Sequence, residues 1–221
     1  MYFKKLLNDI FSTPPRIILF SYLFIIFLGS ITLYLPISTT KPISYLDAIF
    51  TTVSAITDTG LIVLNTPKDF TPFGKFIILL LIHIGGLGYM TFTTFFLLTF
   101  RQKITFKDRL ILAESLNYPG AGGLIKFLTR VFLFVISIEI LGAILLFIGF
   151  LNTNNILTAL KLSVFHSISA FNNAGFSLFP NNLMDYQQNL LVNITVAFLI
   201  IIGGLGFFVI NDFYLFFKKE V

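Results

Sequence analysis

Four long apolar segments constrain the fold of this chain more than any other feature of its sequence. These segments cover residues 17–35, 76–100, 131–151 and 190–217. Glu139 and Asp212 are the only Asp, Glu, Lys or Arg residues within them, and His83 is the one histidine. The first segment alone is long enough for about 29 Å of helix at about 1.5 Å per residue, close to a bilayer core of about 30 Å. We therefore predict an all-α membrane protein that crosses the cell membrane several times.

The rest of the composition excludes several classes of function. Only 11% of the 221 residues are charged, whereas about 25% is usual for a soluble domain. The absence of cysteine excludes disulfides, zinc-thiolate sites and thiol nucleophiles. His83 and His166 are too few for most histidine-based metal sites, and no group of side chains suits hydrolysis, so we do not expect an enzyme. The net charge of +5 comes from residues between the apolar segments, where it orients a membrane protein and does not indicate a nucleic-acid partner.

Two further apolar segments, 44–56 and 155–171, are too short to cross a membrane. The first would form only about 20 Å of helix, and Ser44 with Asp47 gives it an S-x-x-D start signal. Each short segment ends at a polar turn that contains glycine, and a long apolar segment soon follows. This order is typical of a re-entrant pore helix, because irregular backbone at membrane depth is tolerated only beside protein or a water-filled cavity.

The basic residues predict how the chain lies in the bilayer. If four helices span it, both termini and the linker 101–126 share one side with eleven of the 15 lysine and arginine residues. The positive-inside rule places that side in the cytoplasm. Within the linker, Thr105 and Asp108 form another helix-start signal, compatible with an amphipathic helix on the membrane surface or with a solvated loop helix.

The chain also contains an internal repeat. FTTVSAITDTGL at 50–61 aligns with FHSISAFNNAGF at 165–176, IGGLGY at 84–89 with IGGLGF at 202–207, and LGSI at 28–31 with LGAI at 141–144. Three matches in one order, at a nearly constant offset, indicate two equivalent units that run in the same direction through the membrane. We therefore predict a first unit at 1–100, the linker, and a second unit at 127–221, each built as helix, short helix, turn and helix.

The turn after each short helix carries the candidate site. A cation that leaves water needs other oxygen ligands, and backbone carbonyls supply them without a net charge that would trap it. Glycine permits the unusual backbone angles of such a turn, threonine hydroxyls can add ligands, and asparagine side chains can brace it. The short helices end just before the turns, so their negative ends favour a cation. The candidate residues are Thr57, Asp58, Thr59 and Gly60 in the first turn, and Asn172, Asn173, Ala174 and Gly175 in the second.

Glycines also cluster in the second long segment of each unit. No strand is predicted before them, so we exclude a phosphate-binding loop and predict close helix packing or a bend. Glu139 is expected to pair with a lysine or arginine near the cytoplasmic surface, and His83 to be packed or hydrogen-bonded beside the glycines. These glycines are Gly85, Gly86 and Gly88 in the first unit, and Gly203, Gly204 and Gly206 in the second.

Over essentially its whole length the sequence resembles the Trk/Ktr family of potassium-uptake proteins. The resemblance rests on SAITDTGL at 54–61, FGKFIILLLIHIGGLGYMTF at 73–92, KDRLILAESLN at 107–117 and SAFNNAGFSLF at 169–179. It implies a potassium-channel-like pore in which four helix–pore helix–filter–helix units each give one filter strand with a hallmark glycine. The eight turn residues would then form two strands that bind K⁺ as the transported ion, with Na⁺ left open and no cofactor. It also implies a cytosolic nucleotide-binding regulatory subunit that docks near 101–126.

Two departures from the family pattern leave alternatives open. Many relatives have an apolar or small residue at the position of Asp58; its carboxylate either accepts hydrogen bonds behind the filter or raises cation occupancy. The chain also has two units where the family has four. We expect an N-terminal half that joins a missing C-terminal half, or two copies that assemble. The alternative function is a non-transporting membrane fragment, or a modulator of a complete transporter.

Overall fold

The described part of the chain is all-helical, as the sequence predicts. A computed structural model describes residues 14–88, 110, 113, 118 and 122–218, and within them the one strand-like contact is an isolated bridge between Thr39 and Phe70. The helices are α1 (Pro14–Tyr34), α2 (Tyr45–Ile56), α3 (Thr66–Asp69), α4 (Pro72–Gly86), α5 (Leu124–Leu151), α6 (Ile156–Phe171), α7 (Leu190–Gly204) and α8 (Phe207–Lys218), with a 3₁₀ turn at Met184–Tyr186.

Local capping sets where the short helices begin. The Ser44 side chain accepts from the backbone N–H of Asp47, and the Asp47 carboxylate accepts from the backbone N–H of Ser44, as the S-x-x-D pattern predicts. Asn155 caps α6 by accepting from the backbone N–H of Thr158. Each cap satisfies backbone donors that have no partner within the helix, so each short helix starts at a position fixed by its own sequence.

Differences from the predicted bounds are largest for two of the long segments. Helix α5 begins at Leu124 rather than at 131, and Gly123 precedes it with a φ of 74°. The segment 190–217 forms α7 and α8 instead of one helix, because Gly206 adopts a φ of 82° between them.

Helix α4 covers the first part of the predicted segment 76–100, and residues 89–100 lie outside the described part. Most of the linker and both chain ends also lie outside it. Within the described residues, α5 is the one helix long and apolar enough to cross a membrane by itself. The multi-pass topology and the cytoplasmic position of both termini therefore remain predictions.

Helix packing forms two apolar cores that share a boundary. Helix α1 packs on α2 and α2 on α4, while α5 packs on α6 and α7, and α4 also contacts α6. The core around Leu33 and Ile78 takes in Phe165, Ala174 and Phe176 from the second half of the chain. The second turn is therefore held partly by the first unit.

The outer face of α5 is apolar and uncovered. Leu133, Ile140, Ile144 and Ile148 are each more than half exposed, and their spacing places them on one side of the helix. Val135 and Leu146 on the other side are fully buried. An apolar stripe of this length on a protein surface suits contact with lipid.

Candidate functional site

The two turns have the same backbone conformation. We call residues 57–60 the first bend and residues 172–175 the second bend. Asp58 and Asn173 have φ values of 51° and 58°, and Gly60 and Gly175 have φ values of 72° and 71°. Asp and Asn tolerate this left-handed region better than other residues with a side chain, and glycine enters it without a steric penalty. The residue types at matching positions therefore account for the matching geometry.

A serine in each short helix fixes the segment after the bend. The Ser54 hydroxyl donates to the carbonyl oxygen of Leu61 over 2.7 Å, and the Ser169 hydroxyl donates to that of Phe176 over 2.7 Å. The same two serines accept at their backbone oxygens from Thr59 N–H at 3.1 Å and Ala174 N–H at 2.9 Å. Sequence reasoning missed these serines, although both lie in the aligned SAI and SAF stretches.

The two bends lie against each other. A Cβ atom placed on Gly60 would lie 2.7 Å from the carbonyl oxygen of Ala174 and 3.1 Å from the Cα atom of Gly175. A Cβ atom placed on Gly175 would lie 3.2 Å from the Cα atom of Gly60. Ala174 of the second bend is fully buried. The structure thus brings two distant parts of the sequence together at their glycines.

The carbonyl oxygens of both bends are free to accept. In the part of the chain that the structure describes, no hydrogen-bond donor contacts the carbonyl oxygens of 57–60 or 172–175. Thr57, Thr59, Asn173 and Gly175 are exposed, so a ligand can approach the bends from their open side. Both bends directly follow a helix C-terminus, after Ile56 and Phe171. The arrangement can bind a cation through neutral oxygen atoms beside two negative helix ends.

The side chains of the first bend turn back to α2. The Thr57 hydroxyl donates to the carbonyl oxygen of Val53 over 2.7 Å, and the Thr59 hydroxyl lies 3.1 Å from the Ser54 hydroxyl. The buried Oδ1 atom of Asp58 has no hydrogen-bond partner among the described residues, so this atom gives no support to the first of the two alternatives, a carboxylate that accepts hydrogen bonds behind the filter.

The asparagines of the second bend reach outward to neighbouring helices. Asn172 Nδ2 donates to Glu139 Oε1 at 3.2 Å and to the carbonyl oxygen of Ile168 at 2.8 Å. Asn173 Nδ2 donates to the carbonyl oxygen of Ile200 at 3.4 Å. Glu139 was expected to pair with a lysine or arginine; it contacts Asn172 instead, and its Oε1 lies 3.4 Å from Nδ1 of His83.

The glycines of the IGGLG stretches have separate roles. A Cβ atom on Gly85 would overlap the backbone carbonyl of Ile56, and a Cβ atom on Gly203 would overlap that of Phe171. These two glycines therefore let the following helix approach the last residue of each short helix. Gly88 and Gly206 have φ values of 70° and 82° at the points where α4 and α7 have ended. Gly86 leaves space for the Asn172 side chain, whereas a Cβ atom placed on Gly204 would meet, among the described residues outside its own helix backbone, only Asn173 Nδ2 at 3.9 Å.

Comparison with known proteins decides the family. The family model of TrkH, described as a cation transport protein, matches residues 6–221. The chain belongs to the TrkH family. Members of a family of cation transport proteins work in a membrane and are not enzymes, in agreement with the sequence.

Several relatives of this TrkH-family chain carry potassium in their names. The chain is 46% identical over 208 residues to the Ktr system potassium uptake protein B of Bacillus subtilis. This alignment covers 94% of the chain and 47% of that relative. It is 37% identical to the protein of the same name from Vibrio alginolyticus, over 93% of the chain and 45% of the relative. It is 36% identical to the potassium/sodium uptake protein NtpJ of Enterococcus hirae, over 90% of the chain and 45% of the relative. The chain spans about half the length of these curated relatives.

Proposed function

We propose that this chain forms two of the four filter strands of a potassium-uptake pore. One observation carries the proposal: the first and second bends meet at Gly60 and Gly175, and their carbonyl oxygens have no donor among the described residues. Each unit then serves as a helix–pore helix–filter–helix repeat. In the first unit these parts are α1, α2, the first bend and α4, and in the second they are α5, α6, the second bend and α7.

The chemistry of the bends suits a monovalent cation. Neutral carbonyl dipoles replace water around such an ion and still release it, whereas a cluster of carboxylates would hold it. Asp58 is the one carboxylate in the bends, so the local field remains weak enough for conduction. We take K⁺ as the main ion, because two of the similar proteins named above are potassium uptake proteins. Na⁺ is the second ion, since another is named for both.

Two strands cannot surround an ion, so equivalent strands must complete the pore. Beside the second bend lies a cavity of about 200 Å³, and Asn173, Gly175, Val196 and Ile200 are among its lining residues. Asn173 and Gly175 are exposed on this side. We place the neighbouring strand here, supplied by a further part of the transporter or by a second copy of the chain. A cytosolic nucleotide-binding regulatory subunit is proposed to dock on the cytoplasmic face near 101–126.

Potassium uptake tests this function. The chain is expressed in cells that lack K⁺ uptake, alone and together with two further units of the same family that complete four strands. We expect rescue only from the completed assembly. We also expect that rescue to be lost when Gly175→Ala is introduced, because a filter strand would be distorted. A modulator that does not conduct would enhance uptake by another transporter and would tolerate Gly175→Ala, and that result contradicts the proposal.

A further inference from the structure

A buried acidic group ties the second bend to both units. The Glu139 side chain is 5% exposed in the middle of α5. Its Oε1 atom accepts from Asn172 Nδ2 at 3.2 Å and lies 3.4 Å from Nδ1 of His83 on α4. Its backbone oxygen accepts from the Ser167 hydroxyl at 2.7 Å. An ionisable group inside a membrane protein is costly to bury and therefore marks a specific role.

In the described part of the first unit, residues 14–88, this contact has no counterpart. The alignment of LGSI with LGAI places Ile26 at the position of Glu139, and the bends place Thr57 at the position of Asn172. Thr57 donates within its own short helix, to Val53. The bend can therefore be built without a carboxylate behind it, so simple packing does not explain Glu139.

The first unit supplies the space that Asn172 occupies. A Cβ atom on Gly86 would overlap the Oδ1 atom of the Asn172 side chain, so α4 must carry glycine at this point. Asn172 is thus enclosed by Gly86 on one side and bonded to Glu139 on the other. The residue that opens the second bend sits in the boundary between the two units.

We propose that Glu139 is a positioning residue for the second filter strand, acting through Asn172. The inference rests on the proposed function, because it makes the preference of the pore for K⁺ over Na⁺ depend on this boundary. Loss of the Glu139 oxygen leaves the Asn172 amide without its partner on α5, and the second bend loses a contact that fixes its backbone relative to the first. The side chains of the first bend bond to α2, and these contacts do not involve Glu139.

Hydrogen exchange tests the positioning role without any use of transport. The assembled transporter is studied in lipid nanodiscs as wild type, Glu139→Leu, Glu139→Gln and Ser137→Ala. Ser137→Ala is the matched control, because this serine lies on the exposed side of α5 and bonds only within that helix. We expect Glu139→Leu to raise amide exchange about tenfold in 172–176, the loss of one buried hydrogen bond, with no change in 57–61. Glu139→Gln keeps an acceptor for Asn172 and should match the wild type, as should Ser137→Ala.

A second pair of variants covers the case in which Glu139→Leu does not fold. Asn172→Thr and the double variant Glu139→Ile with Asn172→Thr give the second unit the residues of the first. Because both changes remove the same bond, the double variant should exchange no faster in 172–176 than Asn172→Thr alone. Equal changes in both bends, additive effects, or a Glu139→Gln variant as fast as Glu139→Leu would overturn the inference.

Ion selectivity then connects the contact to function. In the folded variants that lose the bond, the ratio of K⁺ to Na⁺ uptake should fall several-fold, while Glu139→Gln retains it. An unchanged ratio together with faster exchange in 172–176 would overturn the inferred link to selectivity. Absence of K⁺ uptake in the assembled wild type would contradict the proposed function alone, since the exchange result does not depend on transport.

Discussion

The two bends have the same backbone conformation but differ in the side-chain contacts that hold it. In both units a serine of the short helix, an Asp or Asn with positive φ and a glycine with positive φ occur at matching positions. Behind the first bend, threonine hydroxyls return to the same short helix. Behind the second, asparagine amides bond to Glu139 on α5 and to Ile200 on α7. The backbone conformation that both bends adopt presents the carbonyl oxygens, so we assign the shared function to it. We expect the differing side-chain contacts to set the properties in which the two bends differ.

Alanine at the bend glycines should have the largest effect. Gly60→Ala and Gly175→Ala each force a left-handed conformation on a residue with a Cβ atom, at a cost of about 1–3 kcal/mol. Gly60→Ala also presses on the Ala174 carbonyl, so we expect it to be the more severe. K⁺ uptake by the assembled transporter should fall at least about tenfold for both. Gly122→Ala is the control, because an added Cβ there would have no atom of the described residues within 4 Å. K⁺ uptake that is retained in both variants would show that the left-handed glycines shared by the two bends are not required for transport.

The second-largest effect is expected from alanine at Gly85 and Gly203, the glycines that contact the last residue of each short helix, and it should appear as a loss of stability. Gly203→Ala places a methyl group on the Phe171 carbonyl and Gly85→Ala places one on the Ile56 carbonyl, so overpacking should cost about 1–3 kcal/mol in each unit. Thermal unfolding in detergent measures this as a lower Tm. Gly204→Ala is the matched control one residue along, because its added Cβ would have room, and a helical alanine is favoured over glycine. Equal Tm values for Gly203→Ala and Gly204→Ala would show that α7 does not pack as described.

Removal of the serine in each short helix should affect both units, and the first slightly more, because the Ser54 hydroxyl also accepts from the Thr59 hydroxyl at 3.1 Å. Ser54→Ala and Ser169→Ala each leave a carbonyl oxygen without its donor, which should cost about 1 kcal/mol. Hydrogen exchange of the segments 57–61 and 172–176 reports each loss locally, and Ser137→Ala should change neither segment. A larger effect of Ser169→Ala than of Ser54→Ala would contradict this expectation and would mean that the other side-chain contacts of the bends decide how firmly the backbone is held.

Asp58→Asn gives the first bend the residue of the second. Asparagine tolerates the left-handed conformation of this position, and its side-chain amide can donate hydrogen bonds, which an ionised carboxylate cannot do. K⁺ uptake by the assembled transporter should change by less than about threefold, the size expected for one partly screened charge near the pore. A loss of uptake comparable to that of Gly60→Ala would instead make the Asp58 charge essential to conduction.

The smallest predicted difference between the units is in how their stability depends on pH, and it comes from contacts in the loops between helices. In the first unit Lys41 donates to Asp69 at 2.9 Å and holds the pKa of that carboxyl below its ordinary value of 3.8. This contact stabilises the fold above pH 4 and is lost as pH falls through the lowered pKa. The corresponding contact of the second unit is neutral, between Thr153 and Tyr186 at 2.6 Å. Acidification below pH 4 should therefore lower Tm slightly more in the wild type than in Asp69→Asn, and an identical pH dependence would count against the ion pair.

Features with a local cause could be predicted from the sequence. The start of α2 follows from Ser44 and Asp47, and the bends follow from Gly60 and Gly175, because caps and left-handed residues need only their own neighbours. The early start of α5 was not predicted, and close packing or a bend was predicted for the glycine clusters as a whole without assigning either to one glycine. Three glycines in one stretch look alike in sequence, and only packing decides that Gly203 makes a close contact while Gly206 bends the chain.

The supports of the second bend also escaped prediction. Glu139 lies 33 residues from Asn172 and belongs to another helix. Its partner depends on how the two units pack together, which no local pattern records. The resemblance to the Trk/Ktr family was confirmed by the match over residues 6–221, yet that resemblance says nothing about this contact.

The central claim is that both bends line one ion path. Anomalous diffraction from crystals of the assembled transporter grown with Tl⁺, a mimic of K⁺, tests it most directly. We predict Tl⁺ peaks within direct coordination distance of carbonyl oxygens from both 57–60 and 172–175. Tl⁺ peaks elsewhere in the pore with neither bend in contact, or bends that lie apart at the lipid boundary, would contradict the account.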